Sequence, residues 1–337
     1  MIRWFVLLLW VLALSACQRD ATPAEPLRFS GGTMGTSYTV LVYAPESARL
    51  RLDAGIQATL SRVVNATSVY EPRSDVSRFN AAAVDAWIPI GEDLYRVMRV
   101  ALQVAELSEG ALEPTILPLV NLWGFGPRGR AEEVPDAEEL ATTQAKIGWQ
   151  DLMLRSEPRA LLKLAPREVD LGGIAKGYGA DAVAEYLRAQ GYTQFLVDLG
   201  GDLVAEGGKA DGTSWRIGIE QPVVGERRVF EVVELETAAM VTSGDYRNFF
   251  EVDGVRYSHT LDPRTGFPID HGLASVSVLA ETALLADAWS TALMVLGTQA
   301  ALAMAERHDL SVLLIERSEN GFVSHRTGWF LEMMGES

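Results

Sequence analysis

Cysteine is almost absent from the chain: Cys17 is the only one among 337 residues. A single thiol excludes a disulfide within the chain and a zinc site built from cysteines. Clusters of Lys and Arg are also lacking, and the formal net charge is −16. Because nucleic-acid binding needs basic groups that neutralise phosphates, no nucleic-acid partner is expected. The excess of acidic residues favours solubility.

Long hydrophobic runs are lacking after the N-terminus, where no segment offers ~18 uncharged apolar residues in a row. The N-terminus itself has Arg3, an apolar stretch over residues 4–14, and then Leu14-Ser15-Ala16-Cys17. This ending resembles the lipobox of bacterial lipoproteins, in which the peptide is cut before the cysteine and the thiol is lipidated. The pattern predicts a signal peptide over residues 1–16 and a lipid on Cys17. A plain signal peptide, or a short anchor with an incidental cysteine, is the alternative.

The rest of the chain divides into a short tether and one domain. Residues 17–27 hold the lipidated cysteine and a polar, Pro-containing tether, whereas residues 28–337 show no repeat and no break in composition. A lipid on Cys17 would hold the mature protein on a membrane without spanning it. We therefore expect an exported protein, lipid-anchored to a bacterial membrane, whose domain faces the periplasm or the cell exterior.

Hydrophobic periodicity along the domain predicts both strands and helices. Strands are predicted over residues 36–43, 167–171, 192–199 and 275–279, and helices over 93–107, 281–296 and from Gly173 to about Gln190. Residues 249–260 form a predicted hairpin that turns at Asp253-Gly254. Hairpins packed with helices predict an α+β fold with antiparallel sheets.

Several familiar catalytic signatures are absent. The sequence has no G-x-S-x-G, no H-E-x-x-H and no G-x-x-x-x-G-K-[ST], so three common kinds of hydrolase or ATPase are not supported. Four segments rich in glycine and polar residues remain, and they are the places where chemistry is expected.

Two of these segments are glycine-rich loops. Residues 31–36 precede a strand, and their exposed amides could hold a phosphate, although a flexible loop is the alternative. Residues 169–178 carry Asp170 into Gly172-Gly173 and then into a helix. A helix N-terminus attracts anions, so Lys176 in the first turn is unfavourable unless a negative group lies nearby.

The other two segments carry a histidine and a carboxylate. His259, at the end of the predicted hairpin, is either a proton carrier or a structural residue. Asp287 and Thr291 are four residues apart in an apolar helix and share one face. A hard cation such as Mg²⁺ would satisfy both side chains if they are buried. The alternative is a hydrogen bond from Thr291 to its own helix, with Asp287 at the surface.

Taken together, the motifs resemble the ApbE family of flavin transferases (FAD:protein FMN transferases). The resemblance covers essentially the whole mature chain, and its eight blocks occur in the family's order. The blocks are Gly32-Thr33-Met34-Gly35-Thr36, Tyr70-Glu71-Pro72 with Ser77-Arg78-Phe79-Asn80, residues 118–126, residues 170–178, Gly200-Gly201-Asp202, Ser243-Gly244-Asp245, residues 258–266 and residues 286–293.

The resemblance implies a T-fold-like α+β domain that binds FAD between its lobes, with Mg²⁺ at the pyrophosphate. The residues that it implies for the FAD site are Met34, Tyr70, Ala111, Leu112, Glu113, Asp170, Lys176, His259 and Leu261. Those implied for the metal are the Gly173 carbonyl, the Asp287 carboxylate, the Ser290 carbonyl and the Thr291 hydroxyl. Glu113 departs from the Asp that is usual in the family, and it keeps the charge on a side chain one methylene longer.

The implied reaction is Mg²⁺-dependent transfer of FMN from FAD to a Ser or Thr hydroxyl of an acceptor protein, with AMP released. His259 is the first choice for the general base, and Asp287 is the alternative. The acceptors that the resemblance implies are exported domains of membrane redox complexes. An FAD pyrophosphatase and a flavin-binding lipoprotein without catalysis are two rival readings, because both would use the same site.

Overall fold

A computed structural model describes residues 25–128, 133–223, 225, 228–246 and 248–333. The predicted signal peptide, Cys17 and most of the predicted tether lie outside these residues. Leu27, the last residue of the predicted tether, begins the first strand, because its side chain is buried in the core. None of the helices in the described ranges is long and apolar enough to cross a membrane.

The strands and helices of the described residues follow one another without a clear βαβ repeat. The strands are β1 Leu27–Thr33, β2 Thr36–Val42, β3 Ile88–Pro89, β4 Leu152–Ser156, β5 Arg159–Lys163, β6 Phe195–Leu199, β7 Asp202–Glu206, β8 Trp215–Glu220, β9 Val229–Leu235, β10 Ala238–Gly244, β11 Phe249–Val252, β12 Val255–Ser258, β13 Leu273–Ala280, β14 Ser311–Ser318 and β15 Gly321–Arg326. The helices are α1 Arg49–Thr67, α2 Asp75–Ala81, α3 Glu92–Leu107, α4 Leu117–Leu122, α5 Ala137–Gln144, α6 Ala175–Ala189, α7 Ala283–Leu296, α8 Thr298–Arg307 and α9 Trp329–Glu332.

An eight-stranded sheet organises the domain, in the order β1-β2-β6-β7-β10-β13-β14-β15, and every neighbouring pair is antiparallel. Helices α1, α6 and α7 cover one face and bury the larger apolar core with it. The β8–β9 hairpin covers the other face and forms a second core. The predicted α+β class, with antiparallel sheets packed against helices, is confirmed.

Most of the predicted elements are present where the periodicity placed them. Residues 36–42, 93–107, 273–280 and 283–296 form β2, most of α3, β13 and α7. The hairpin β11–β12 turns at Asp253 and Gly254, whose φ angles of 52° and 77° are those of a tight two-residue hairpin turn. The strand predicted over 192–199 begins only at Phe195, because the Tyr192 amide donates to Leu187 O and closes the end of α6.

The strand predicted over residues 167–171 does not form, and that prediction is wrong. Only Glu168 makes an isolated bridge, with Ile116. The Asn80 side chain replaces a neighbouring strand at Val169: it donates to Val169 O at 2.8 Å and accepts from Val169 N at 2.7 Å. The backbone groups of Val169 are therefore satisfied without a ladder, and the segment leads Asp170 directly to the start of α6.

Candidate active site

The N-termini of α6 and α7 meet, and each is capped by a carboxylate from the other helix. Gly177 N in α6 donates to Asp287 Oδ2 at 2.9 Å. In return Asp181 of α6 accepts from Ala283 N at 2.9 Å and Leu284 N at 2.8 Å. Burial raises the pKa of Asp181 to about 6. These reciprocal caps replace the missing side-chain cap at the start of α6 and fix Asp287 relative to the helix.

Gly177 allows the two helices to approach this closely. A Cβ at this position would lie 2.2 Å from Ala283 O and 2.7 Å from Asp287 Cβ. No side chain fits there, so the glycine sets the distance at which Asp287 reaches α6.

Lys176, one residue before Gly177, carries a positive charge at the positive end of the α6 dipole. Negative side chains lie close enough to offset this repulsion. Lys176 Nζ lies 2.8 Å from Asp202 Oδ2 and 3.8 Å from Asp287 Oδ2. Both carboxylates are almost fully buried, with 1% and 2% exposure. Two buried carboxylates around one ammonium leave an excess of negative charge at the start of α6.

Asp202 is not among the site residues predicted from the sequence, although it closes the Gly200-Gly201-Asp202 block of the family resemblance. Burial raises the pKa of Asp202 well above its ordinary value, the Asp287 charge raises it further, and Lys176 opposes both effects. Asp202 Oδ1 has no hydrogen-bond partner among the described residues. A buried carboxylate oxygen without a donor is costly, which indicates that more positive charge belongs in this region.

Two of the oxygens predicted to bind a metal are in direct contact. Thr291 Oγ1 donates to Gly173 O at 2.8 Å, so the two oxygens lie side by side next to Asp287. The alternative, in which Thr291 bonds to its own helix and Asp287 is exposed, is wrong, because Thr291 bonds across to the α6 loop and Asp287 is buried. Ser290 is fully buried; its Oγ lies 2.9 Å from Ser243 Oγ and donates to Asp287 O at 3.0 Å.

This chemistry fits a hard divalent cation. The group offers carbonyl, hydroxyl and carboxylate oxygens and a local excess of negative charge, which are the donors that Mg²⁺ prefers. Within the described ranges no three His, Cys, Asp or Glu side chains cluster as a metal site. A metal held here would therefore depend on Asp287 as its charged ligand and on neutral oxygens for the rest.

A cavity of about 650 Å³ opens over this group and brings most of the predicted residues together. Eleven of them line it: Tyr70, Ala111, Leu112, Glu113, Asp170, Gly173, Lys176, His259, Leu261, Asp287 and Thr291. Met34 and Ser290 do not. Met34 lies in the β1–β2 turn with a φ of 49°, and its side chain packs on α6 at Gly179, one turn beyond Lys176.

Glu113 and Asp170 have carboxylates that are already bonded within the protein. Glu113 Oε1 accepts from Thr115 N at 2.8 Å and from Thr115 Oγ1 at 2.7 Å, and Oε2 accepts from Trp149 N at 3.2 Å. Burial raises the pKa of Glu113. Asp170 Oδ1 accepts from Gly172 N at 2.8 Å, and burial raises its pKa as well. The two side chains shape the loops that line the cavity.

Tyr70 and His259 stand at the cavity with different surroundings. Tyr70 is 62% exposed, and its hydroxyl donates to Phe125 O at 3.0 Å, so it presents a flat aromatic face at the opening. His259 is half-buried, and its Nδ1 lies 2.9 Å from Asn248 O. Because a carbonyl only accepts, Nδ1 carries the proton, and Nε2 carries the lone pair of the neutral ring.

The electrostatic environment keeps His259 neutral. Burial lowers its pKa from the usual 6.5, and the positive charge of Lys176 lowers it further, against the opposing effects of Asn248 O and Asp245. The aromatic rings of Trp123, Phe125, Phe250 and Tyr257 pack around the β11–β12 hairpin and hold the histidine at the cavity. A neutral imidazole with a free lone pair can accept a proton.

The turn after His259 has a structural role. Gly266 N donates to Asp262 O at 2.7 Å, with a φ of 77° at Gly266, and Trp123 Nε1 donates to Gly266 O at 2.8 Å. These bonds anchor the hairpin to α4, and with it the position of Leu261 in the cavity wall.

Comparison with known proteins shows the family to which this fold belongs. The model of the ApbE family matches residues 34–314. The chain belongs to the ApbE family. The FAD:protein FMN transferase of Vibrio cholerae is 41% identical over 331 residues, which cover 97% of this chain and 98% of that protein. That of Haemophilus influenzae is 41% identical over 330 residues, covering 96% and 94%.

Solved structures of ApbE proteins have the same fold. The flavin transferase ApbE from Vibrio cholerae gives a TM-score of 0.85 at 39% identity and covers 92% of this chain and 99% of its own. The apo flavinyl transferase ApbE from Pseudomonas stutzeri gives 0.84 at 42% identity and covers 93% and 98%. Most of the motifs that carry the family resemblance line the cavity, and the structure adds that Asp202 of the Gly200-Gly201-Asp202 block pairs with Lys176.

Proposed function

We propose that this ApbE protein transfers the FMN moiety of FAD to a Ser or Thr hydroxyl of an acceptor protein and releases AMP. The observation that carries the proposal is the cavity in which an ammonium, a neutral imidazole and a cluster of oxygen ligands face one another. Such a cavity offers what transfer across a pyrophosphate needs: charge neutralisation, a proton acceptor and a rigid frame. Its relatives carry the name of this reaction.

Mg²⁺ fits the oxygen cluster and would be held by Asp287, Thr291 and the carbonyls of Gly173 and Ser290. When bound, it would neutralise charge on the pyrophosphate oxygens. Lys176 adds a second positive charge, and its bond to Asp202 keeps the ammonium at the start of α6. The positive end of the α6 dipole also favours a phosphate.

FAD would lie between the lobes with the loop residues around it. Tyr70, Asp170 and the 111–113 loop line one part of the cavity, and Leu261 and His259 line another. Met34 would reach the flavin from the β1–β2 turn only if its side chain moved away from Gly179. This placement follows the family resemblance of the motifs.

In the proposed transfer step, His259 acts as the general base. The acceptor oxygen forms a bond to the phosphorus on the FMN side, the bond from that phosphorus to the AMP oxygen breaks, and the hydroxyl proton passes to His259 Nε2. Asp287 is a poorer base, because its Oδ2 already accepts from Gly177 N and lies near Lys176.

One assay separates this proposal from its two rivals. The protein is incubated with FAD and Mg²⁺, with and without an acceptor domain. Covalent flavin on the acceptor together with AMP supports the transferase. Free FMN and AMP in both reactions would indicate a pyrophosphatase, and unchanged FAD would indicate a protein that only binds flavin.

We expect transfer at saturating FAD to fall as the pH drops through the pKa of His259. Because burial lowers that pKa, the neutral base persists below pH 6.5, and the midpoint of the fall should lie on the acid side of that value. His259→Ala should remove the pH-dependent fall and lower the rate by ~10²–10⁴, with little change in FAD affinity. A variant with weaker FAD binding but a normal saturated rate would show that His259 contacts FAD and moves no proton.

The N-terminal motif indicates where in the cell this activity would take place. We propose that the protein is exported, lipidated at Cys17 and held on a bacterial membrane, where it would modify exported domains of membrane redox complexes. Cys17→Ser should give a soluble exported protein with unchanged transfer activity, measured by fractionation and by the FAD assay. Continued membrane association of this variant would rule out the lipid as the anchor.

A further inference from the structure

Asp245 lies where the main sheet passes into the β11–β12 hairpin that carries His259. It directly follows β10, and its amide donates to Ala274 O at 3.3 Å, which extends the pairing with β13 by one residue. Its neighbours Gly244 and Tyr246 line the cavity, whereas Asp245 itself does not. Asp245 is buried, so its carboxylate needs a partner inside the protein.

That partner is Arg317 of β14, which binds the carboxylate with two N–H groups. Arg317 Nη1 donates to Asp245 Oδ2 at 2.9 Å, and Nη2 donates to Oδ1 at 2.6 Å. Paired hydrogen bonds of this kind fix the direction of the carboxylate as well as its distance. Because β13 lies between β10 and β14, the ion pair spans three strands and holds Asp245 rigidly on the main sheet.

The backbone carbonyl of Asp245 binds the hairpin. Arg256 of β12 donates from Nη2 to Asp245 O, and its guanidinium carbon lies 4.0 Å from the ring centroid of Phe249 in β11. The second contact is a cation–π interaction, so one arginine joins both strands of the hairpin to the residue from which the hairpin leaves the sheet.

The imidazole of His259 is held within the same segment. Its backbone N–H, at 3.1 Å, and its Nδ1, at 2.9 Å, both bond to Asn248 O. Asn248 comes three residues after Asp245, and Arg256 comes three residues before His259. Both strands are therefore tied to Asp245 close to the bond that orients the ring, and a displacement of Asp245 would change the direction of His259 Nε2.

Stability alone does not account for this arrangement. A buried ion pair contributes little more than apolar residues of the same volume would, because removing two charges from water offsets most of their attraction. What the ion pair does supply is a single geometry, and here that geometry is the one in which the hairpin meets the sheet. Transfer chemistry depends steeply on such geometry, since a misplacement of about 1 Å can cost ~10²-fold in rate.

We propose that Asp245, held by Arg317, is a positioning residue of the transfer reaction, which fixes the base of the β11–β12 hairpin so that His259 Nε2 meets the acceptor hydroxyl. This inference rests on the proposed transferase function and on His259 as the base. Asp245 touches neither FAD nor the acceptor, and it acts through His259 alone.

Asp245→Asn keeps the shape of the side chain and removes its charge and one of the two oxygens that accept from Arg317. We expect the transfer rate at saturating FAD to fall about ten- to a hundred-fold, with an unchanged FAD dissociation constant. Rates are compared at about pH 8. The Asp245 charge raises the pKa of His259, so its loss lowers that pKa and the ring is neutral in every variant at this pH.

A double-mutant cycle with His259→Ala separates positioning from a general structural role. If Asp245 acts through His259, Asp245→Asn should cause no further loss of rate in the His259→Ala background. An equal loss in both backgrounds would overturn the proposal, and so would a wild-type rate in Asp245→Asn. Weaker FAD binding with a normal saturated rate would also overturn it, because Asp245 would then shape the flavin site.

Glu206→Gln is the matched control. It removes another ion pair between an arginine and a carboxylate, that of Arg188 and Glu206, at the end of β7 opposite the Gly200-Gly201 turn. Its side chains are 44% and 21% exposed, compared with 34% for Arg317 and 13% for Asp245. Glu206→Gln should transfer flavin at the rate of its parent in both backgrounds.

Arg317→Lys gives an answer even if Asp245→Asn fails to fold. It keeps the positive charge and loses the planar fork that binds both carboxylate oxygens. We expect a lower saturated rate with His259 present and no change in the His259→Ala background. No covalent flavin from the wild-type protein would overturn the proposed function, and a wild-type rate in His259→Ala would leave no base to position. An equal loss in both backgrounds overturns only the role of Asp245.

Discussion

Asp287→Asn should abolish flavin transfer, with a rate at least ~10³-fold below that of the wild type at any Mg²⁺ concentration. The substitution keeps an oxygen that can accept from Gly177 N, so the cap on α6 survives. It removes the charge on which the oxygen cluster depends for a divalent cation. Steady-state transfer rates across a Mg²⁺ titration, together with thermal unfolding, measure the two effects separately.

Asp287→Ala and Asp181→Asn are the matched controls for this prediction. Asp287→Ala loses the cap as well as the charge, and it should cost about 1 kcal/mol more stability than Asp287→Asn. Asp181→Asn weakens the reciprocal cap on α7, outside the cavity wall, and should lower stability while most of the transfer rate remains. Wild-type transfer by Asp287→Asn at saturating Mg²⁺ would refute the metal assignment.

Gly177→Ala should lower the stability of the fold by about 1–3 kcal/mol and reduce transfer ~10²-fold or more. In an ordinary helix this change would be stabilising, by about 1 kcal/mol. Here the new Cβ would lie 2.2 Å from Ala283 O, so α6 and α7 must separate and Asp287 must move with its helix. Chemical denaturation and the transfer assay would report the two consequences.

Gly179→Ala, two residues along the same helix, is the control for Gly177→Ala. Its Cβ would meet only the ends of flexible side chains, Leu199 Cδ1 at 2.9 Å and Met34 Cε at 3.2 Å, which can shift. We expect stability close to that of the wild type. If both variants lost the same stability, overpacking at the helix crossing would not be the cause.

The fold class could be predicted from the sequence because the patterns that indicate helices and turns depend on residues close together in the chain. The apolar spacing of α3 and α7 and the Asp253-Gly254 turn depend on neighbouring residues only, and each is found in place. Residues 167–171 also had a strand-like pattern. They form no strand because Asn80, 89 residues away from Val169 in the chain, supplies the hydrogen bonds that a neighbouring strand would have made.

The residues of the candidate site could be selected from the sequence for another reason. Gly173, Lys176, His259 and Asp287 stand in short motifs whose residue types are costly without a function: a lysine at a helix start, a carboxylate in an apolar helix. Residues that are unfavourable in their local setting indicate a site, but they do not show which of them are in contact in the folded chain. Asp202 has no comparable local signature, since an aspartate after Gly-Gly is ordinary in a turn.

By itself, the sequence determined the fold class, several of the strands and helices, the motifs of the candidate site and the absence of disulfide or cysteine–zinc chemistry. Only the tertiary structure decided that Asp202 pairs with Lys176, that Asp287 and Asp181 cap each other's helices, and that residues 216–220 of β8 line the same cavity. The reason is that each of these depends on the distance between segments far apart in the chain. Burial and charge pairing arise only when packing sets that distance.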